Sequence, residues 1–135
     1  MMNNAKKIII DTNFLMIPAQ FGVDIFTEID KVCESGYTLL IFDKTINELE
    51  NILRNQKGAA KEAVKVTLAL IETMTNDNKL NIIPAKTTYI DREILEIVDK
   101  DTIVATQDGN LKKKLKDKGV KTIIMRQKKY LVIEG

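Results

Sequence analysis

The sequence predicts an α/β fold: a central, mainly parallel sheet of about five strands with helices on both faces. Three observations carry that expectation. Short apolar runs alternate with stretches at helical spacing along the whole chain of 135 residues. The runs are rich in isoleucine and valine and bounded by polar residues, as strands buried in a parallel sheet are. No internal repeat, low-complexity tract or linker interrupts the alternation, so residues 1–135 are expected to form one domain.

The first strand is Ile8-Ile9-Ile10, which ends abruptly in Asp11-Thr12-Asn13. Residues just past such a strand lie at the carboxyl edge of the sheet, where open α/β folds place their ligands. Thr12 to Pro18 reads as a short mixed connection. From Gly22 to Glu34, Val23, Phe26, Ile29 and Val32/Cys33 recur at helical spacing, and Ser35-Gly36 closes that helix. Cys33 falls on the apolar side and reads as a buried structural thiol.

Thr38 to Phe42 is the second strand, followed by a helix whose buried face is Ile46, Leu49 and Leu53. Gly58 separates it from a helix over Ala59 to Met74, with Ala63, Val66, Leu70 and Met74 in phase. Residues 75–78 form a turn, and Leu80 to Ile83 is the third strand, ended by Pro84. Asp91 opens a short helix marked by Ile94, Leu95 and Val98. Thr102 to Ala105 is the fourth strand, and an amphipathic helix around Leu111 and Leu115 ends at Gly119. Val120 to Met125 is the fifth strand, and Tyr130 to Ile133 suits a final short one.

Composition closes off several chemistries. There is no histidine, and Cys33 is the single cysteine. Serine–histidine and cysteine–histidine nucleophile pairs, histidine-ligated metals, cysteine zinc sites and an internal disulfide are all excluded. No apolar run approaches a membrane span, and no signal-peptide core precedes Asp11, so a cytoplasmic protein is expected. The net charge of +2 hides an asymmetry. Between Leu111 and Tyr130 nine lysines and arginines face one acid, Asp117, so that segment carries +8 and the remainder −6. A basic flank beside acidic elements suits a protein that grips a polyanion and cuts it with metal ions.

Two strands end in acids, Asp11 and Asp108, and in a parallel sheet both lie on one edge. Glu48, early in the helix after the second strand, points to the same edge. Asp91 joins them if the segment from Ala85 to Ile90 stays at that edge. Four facing carboxylates repel unless cations neutralise them. Mg2+ or Mn2+, taking oxygen ligands, does so; a pair of such ions activates water and stabilises the leaving oxygen of a phosphodiester. Asn13 and Thr106 are placed to orient these groups from behind.

Each acid also has a structural reading. Asp11 suits an Asx turn, Glu48 completes a capping box with Thr45, and Asp91 and Asp108 suit helix N-caps. Among the basic residues, Lys112, Lys113, Lys116, Arg126, Lys128 and Lys129 are the candidates for phosphate contact, with a solvated face as the alternative. Tyr130 suits either stacking on a base or burial.

With these residues in view, the chain resembles the PIN-domain ribonucleases. Asp11-Thr12-Asn13 resembles the family's opening D-x-N/S motif, and Glu48 in Ile46-Asn47-Glu48-Leu49 its second acid. Asp91 before Ile94-Leu95 resembles the third acid, and Thr106-Gln107-Asp108 the T-x-D motif that carries the fourth. The ending from Met125 to Leu131 looks most like an archaeal branch related to the eukaryotic PIN nucleases that process small-subunit ribosomal RNA. The resemblance implies a three-layer α/β/α sandwich, metal-dependent endonucleolytic cleavage of RNA with Mg2+ or Mn2+ held by Asp11, Glu48, Asp91 and Asp108, and frequent homodimers.

There is one departure: Arg92 stands where many members have an acid or an alanine, which leaves Glu93 as the alternative third acid. Two other readings share the resemblance. One is a non-catalytic RNA-binding module in a ribosome-assembly or other ribonucleoprotein complex. The other is a VapC-type toxin held by an antitoxin. A phosphorelay receiver is rejected, because Asp11 has no acidic neighbour and Ile82-Ile83-Pro84 offers no phosphoacceptor.

Overall fold

The structure is a computed structural model and describes residues 5–34 and 36–135. Along the chain run β1 (Lys6–Ile10), α1 (Thr12–Leu15), α2 (Ile17–Phe21), α3 (Ile25–Val32), β2 (Tyr37–Phe42), α4 (Asp43–Asn55) and α5 (Ala59–Asn76). They are followed by β3 (Asn81–Ile83), α6 (Ile90–Ile97), β4 (Thr102–Ala105), α7 (Gly109–Asp117), β5 (Lys121–Arg126) and β6 (Tyr130–Glu134).

The strands form one six-stranded sheet in the order β3-β2-β1-β4-β5-β6. All pairings are parallel except β5 with β6. The chain therefore builds outward from β1 through β2 to β3, then returns to place β4 on the other side of β1. That reversal opens a crevice beyond the carboxyl ends of β1 and β4. The register matches Ile10 with Ala105, so the next residues, Asp11 and Thr106, leave the sheet side by side.

Alternation along the strands separates two apolar layers. Ile8, Ile10, Leu39, Ile41, Ile103 and Ala105 pack on one side, against α1 to α5. Ile9, Phe42 and Val104 pack on the other, against Ile90 and Ile94 of α6 and Leu111 and Leu115 of α7. The result is the three-layer α/β/α arrangement expected. Cys33 is buried in the first layer, as expected of a structural thiol.

Three expectations are corrected. The stretch from Thr12 to Phe21 is two short helices, and Gly22, at φ 69°, closes the second by donating to the Pro18 carbonyl at 3.0 Å. The following helix therefore begins after Gly22, where the Asp24 side chain caps the Thr27 N–H at 3.2 Å. It ends at Val32. Gly36 is not its terminator; its carbonyl accepts from the Lys6 N–H at 3.0 Å. The Ser35 half of that expected stop lies outside the described residues.

The third correction is the face of α5, which buries Val64, Thr67 and Ile71 and leaves Val66 53% exposed. Thr67 obscured the stripe because it is polar. Its hydroxyl donates to the Ala63 carbonyl at 2.8 Å and lies 3.3 Å from the Met16 sulfur, which makes its burial affordable. The sheet is mainly parallel as expected, and the final short strand is present as its antiparallel sixth member.

Candidate active site

Asp11 stands at the bottom of the crevice and is only 5% exposed. Its Oδ1 accepts from the Thr12 N–H at 2.9 Å, and its Oδ2 accepts from the Thr106 hydroxyl at 2.9 Å. The same Thr106 oxygen accepts from the Asp108 N–H at 3.1 Å. One fully buried hydroxyl thus ties the acid after β1 to the backbone of the acid after β4. Asp108 Oδ1 in turn caps α7, accepting from the N–H groups of Asn110 at 2.8 Å and Leu111 at 3.1 Å. The capping roles read from the sequence are present at Asp11 and Asp108, and they fix these carboxylates at the edge.

Asp91 reaches the same crevice because its loop is pinned there. The Ala85 N–H donates to Asp43 Oδ1 at the start of α4 at 3.0 Å. The Lys86 N–H and the Thr87 hydroxyl donate to the two oxygens of Glu93 at 2.8 and 2.9 Å. These bonds, the Lys86 amide foremost, hold Glu93 below the usual carboxylate range. Both oxygens of that buried side chain are engaged in holding the loop, so Asp91 is the acid of this helix that faces the others. It caps nothing: α6 begins at Ile90, and Asp91 lies inside its first turn.

Electrostatics connect the four acids. Burial, and then the charges of Asp91 and Asp108, push Asp11 up to about 6, against the lowering effect of its two hydrogen bonds. Burial raises Asp91 as well, followed by the charges of Asp108 and Glu48. Glu48 is exposed in the second turn of α4, since that helix begins at Asp43. Its capping box with Thr45 is absent: Thr45 is wholly buried, and its hydroxyl accepts from the Thr12 hydroxyl at 3.2 Å. That bond joins the first turns of α1 and α4. The donor set is all carboxylate oxygen, which suits a hard divalent cation. As the side chains stand, no three acids among the described residues converge into a ready metal cage.

The model of the PIN-like domain matches residues 8–128. This chain belongs to the PIN-like domain family. It is 30% identical over 131 residues to "Ribonuclease VapC4" of Methanocaldococcus jannaschii, an alignment covering 96% of this chain and 97% of that protein. In three dimensions it resembles the PIN domain endonuclease Utp24, with a TM-score of 0.73, 24% identity, and 97% and 92% of the two chains covered. It also resembles a domain of a functionally unknown protein from Methanocaldococcus jannaschii, with a TM-score of 0.61, 18% identity, and 90% and 92% covered. These two structural likenesses speak to the fold.

The PIN-like frame brings Asp11, Asp108, Asp91 and Glu48 to one edge but does not assign all the supporting residues as expected. Thr106 supports Asp11 directly. Asn13 does not: it is exposed and lines a neighbouring cavity with Phe21 and Gln107. Its expected place is taken by the Thr12 amide and, behind it, the Thr12–Thr45 hydroxyl pair. Lys114 of the lysine-rich helix bears on the acids as well, since its charge lowers Asp91. Lys112, Lys113 and Lys116 line a groove of about 560 Å³ between α7 and the β5–β6 hairpin, starting at Gly109 next to Asp108. Arg126 pairs with Glu134 at 2.7 Å on the surface. Lys128 and Lys129 stand exposed in the turn of the hairpin.

Proposed function

We propose that this PIN-like protein is an endoribonuclease that hydrolyses RNA phosphodiester bonds using Mg2+ or Mn2+. The observation that carries the reading is Asp11, buried and raised to about 6 at the sheet's switch point with other carboxylates bearing on it. A protein that keeps such an uncompensated anion in its crevice gains most when a cation neutralises it. Asp11, Glu48, Asp91 and Asp108 would hold the ion, which when bound lowers the pKa of water and takes up charge on the phosphate oxygens.

The chain's own residues supply the remainder. Thr106 fixes the rotamer of Asp11 and the backbone of Asp108 with one hydroxyl. Glu93 holds the loop that presents Asp91. Lys112, Lys113 and Lys116, with Arg126, Lys128 and Lys129, draw the RNA backbone toward the acid edge. The Arg126–Glu134 pair is exposed, and such pairs exchange readily for a phosphate. In this reading residues 1–135 act as one nuclease domain, in the cytoplasm and as a homodimer.

The test is incubation of labelled single-stranded and structured RNA with the full chain and MnCl2. Cleavage abolished by EDTA and reduced at least about 100-fold by Asp11→Asn supports the reading. Cutting that survives both sinks it, and RNA binding with no cutting under any metal favours a non-catalytic module in a ribonucleoprotein assembly. A VapC-type toxin with an antitoxin partner is a second reading, favoured by full-length similarity to a ribonuclease of that name. Its chemistry is the same; growth arrest on induced expression, relieved by Asp11→Asn, separates it from a processing enzyme for ribosomal RNA.

A further inference from the structure

Next to the acids lies a second cavity of about 500 Å³ that the proposed chemistry does not use. Its walls come from three places far apart in sequence: residues 13–21 of α1 and α2, Gln107 after β4, and residues 125–128 at the tip of the β5–β6 hairpin. Gln107 lies between Thr106 and Asp108, so the cavity adjoins the carboxylate crevice directly.

The lining has an unusual make-up for a surface depression. Phe21 is 42% exposed, although it is a large apolar ring on a chain poor in aromatics. The Lys128 ammonium stands 5.6 Å from its ring centroid. Around them are the amides of Asn13, Gln20, Gln107 and Gln127. The Gln107 Oε1 accepts from the Met125 N–H at 2.7 Å, which fixes that amide and leaves its NH2 as the donor. The hairpin tip is held in the left-handed region at Gln127 (φ 55°) and Lys128 (φ 53°), a conformation that side chains other than glycine and asparagine adopt at a cost.

A flat π face, a cation beside it and several amides, that of Gln107 held in place by the Met125 N–H, suit a planar, hydrogen-bonding, anion-linked group. We propose that this cavity seats one unpaired nucleobase of single-stranded RNA, stacked on Phe21, with its phosphate against Lys128 and the next phosphate at the acids. Aromatic stacking accepts any base, and the amides add preference through the base edges. The charge fits, because the polyanion is drawn to the same basic hairpin. The inference rests on the nuclease reading for the identity of the strand, and it makes single-stranded RNA the substrate class of that site.

The experiment measures binding of labelled seven-nucleotide RNAs (oligo-A, oligo-C and oligo-U) by fluorescence anisotropy. An abasic oligomer with the same backbone and a fully paired duplex are the comparators. The full chain carries Asp11→Asn, which keeps the RNA intact. Phe21→Ala is expected to weaken binding of the base-bearing strands about 5- to 150-fold and to leave the abasic strand unchanged. Phe21→Leu keeps the apolar volume without the π face and is expected to lose most of the same affinity. Lys128→Gln, at an exposed position, is expected to weaken all strands a few-fold; thermal melts check that each variant folds.

An abasic strand bound as tightly as the others overturns the proposal, as does a duplex that shows the same loss with Phe21→Ala. So does unchanged RNA affinity accompanied by loss of a dimer in sedimentation, which assigns Phe21 to a subunit interface. Failure of the nuclease reading looks different: the chain without Asp11→Asn then cuts nothing with Mn2+ while Phe21-dependent binding of single strands persists.

Discussion

At Asp11 the cost of burying a carboxylate can be read directly. A carboxyl held near pH 6 in the folded state, against 3.8 when free, binds its proton more tightly folded than unfolded. The folded state is therefore penalised above pH 6, and the penalty disappears as pH falls toward 4. Its size is about 3 kcal/mol at neutral pH for a group this buried. Asp99 runs the other way. Its bond to Lys7 and those to Thr102 and the Asp101 amide lower it to about 2, so its contribution is lost only below about pH 4. The windows do not overlap, and the metal-free protein should melt at a higher temperature at pH 5 than at pH 8. Asp11→Asn should flatten that rise and be more stable than the parent at pH 8, and Mn2+ should raise the parent's melting temperature but not the variant's. Identical melting profiles for the two proteins would remove Asp11 as a buried charge. Thr106→Val tests the link between the two acids. It strips a hydrogen bond from Asp11 and an acceptor from the Asp108 N–H inside the core, and should cost about 1–3 kcal/mol of stability by urea unfolding and most of the cleavage rate.

Among the elements, strand ends were legible and their surroundings were not. The ending of β4 at Ala105 follows from four buried residues meeting a polar triplet, and the pairing of Asp11 with Thr106 follows from parallel register once β1 and β4 are neighbours. The two short helices after Asp11 left no trace because four or five residues are too few for a 3.6-residue period to show. The supporting role given to Asn13 belongs to Thr12 because the first turn of α1 aims the amide of the next residue at Asp11. The role of Glu93 depends on a loop whose path no local pattern encodes. The hairpin tip was equally invisible, since Gln127-Lys128 is not a sequence that favours a left-handed turn. That mismatch makes a prediction. Gln127→Asn with Lys128→Gly supplies the favoured turn residues and should raise stability by about 1 kcal/mol, measured by thermal unfolding. The same double variant should bind single-stranded RNA more weakly than the parent, because the side chains held at that cost line the cavity beside Phe21. A variant that is less stable than the parent would show that the turn is not strained.

Across the whole molecule, the charge asymmetry becomes a geometric one. The basic residues of α7 and the hairpin sit on the β4–β5–β6 side of the switch point, while Lys6 and Lys7 at the opposite edge are matched to Asp101 at 3.8 Å and Asp99 at 2.7 Å. Lys6 and Lys7 are thus paired at the amino end of β1, whereas among the described residues no ion pair engages Lys112, Lys113, Lys116, Lys128 or Lys129. RNA attracted to this field would approach along α7 and arrive with its backbone across the carboxyl edge. Counterion release makes that path measurable, because each phosphate neutralised on a single strand contributes about 0.7 to the slope of log affinity against log salt. Replacing Lys112 and Lys116 together by Gln should therefore reduce the slope by about 1.4 and weaken all sequences alike. Lys100→Gln, just before β4 at the opposite edge, removes the same kind of charge from an exposed position and should leave the slope where it was. Phe21→Ala should lower affinity with no change in slope, since stacking releases no counterions. Titrations at four salt concentrations separate the three. Equal slopes for the parent and the Lys112/Lys116 double variant would reduce the lysine-rich helix to a solvated surface and leave the hairpin to carry the RNA.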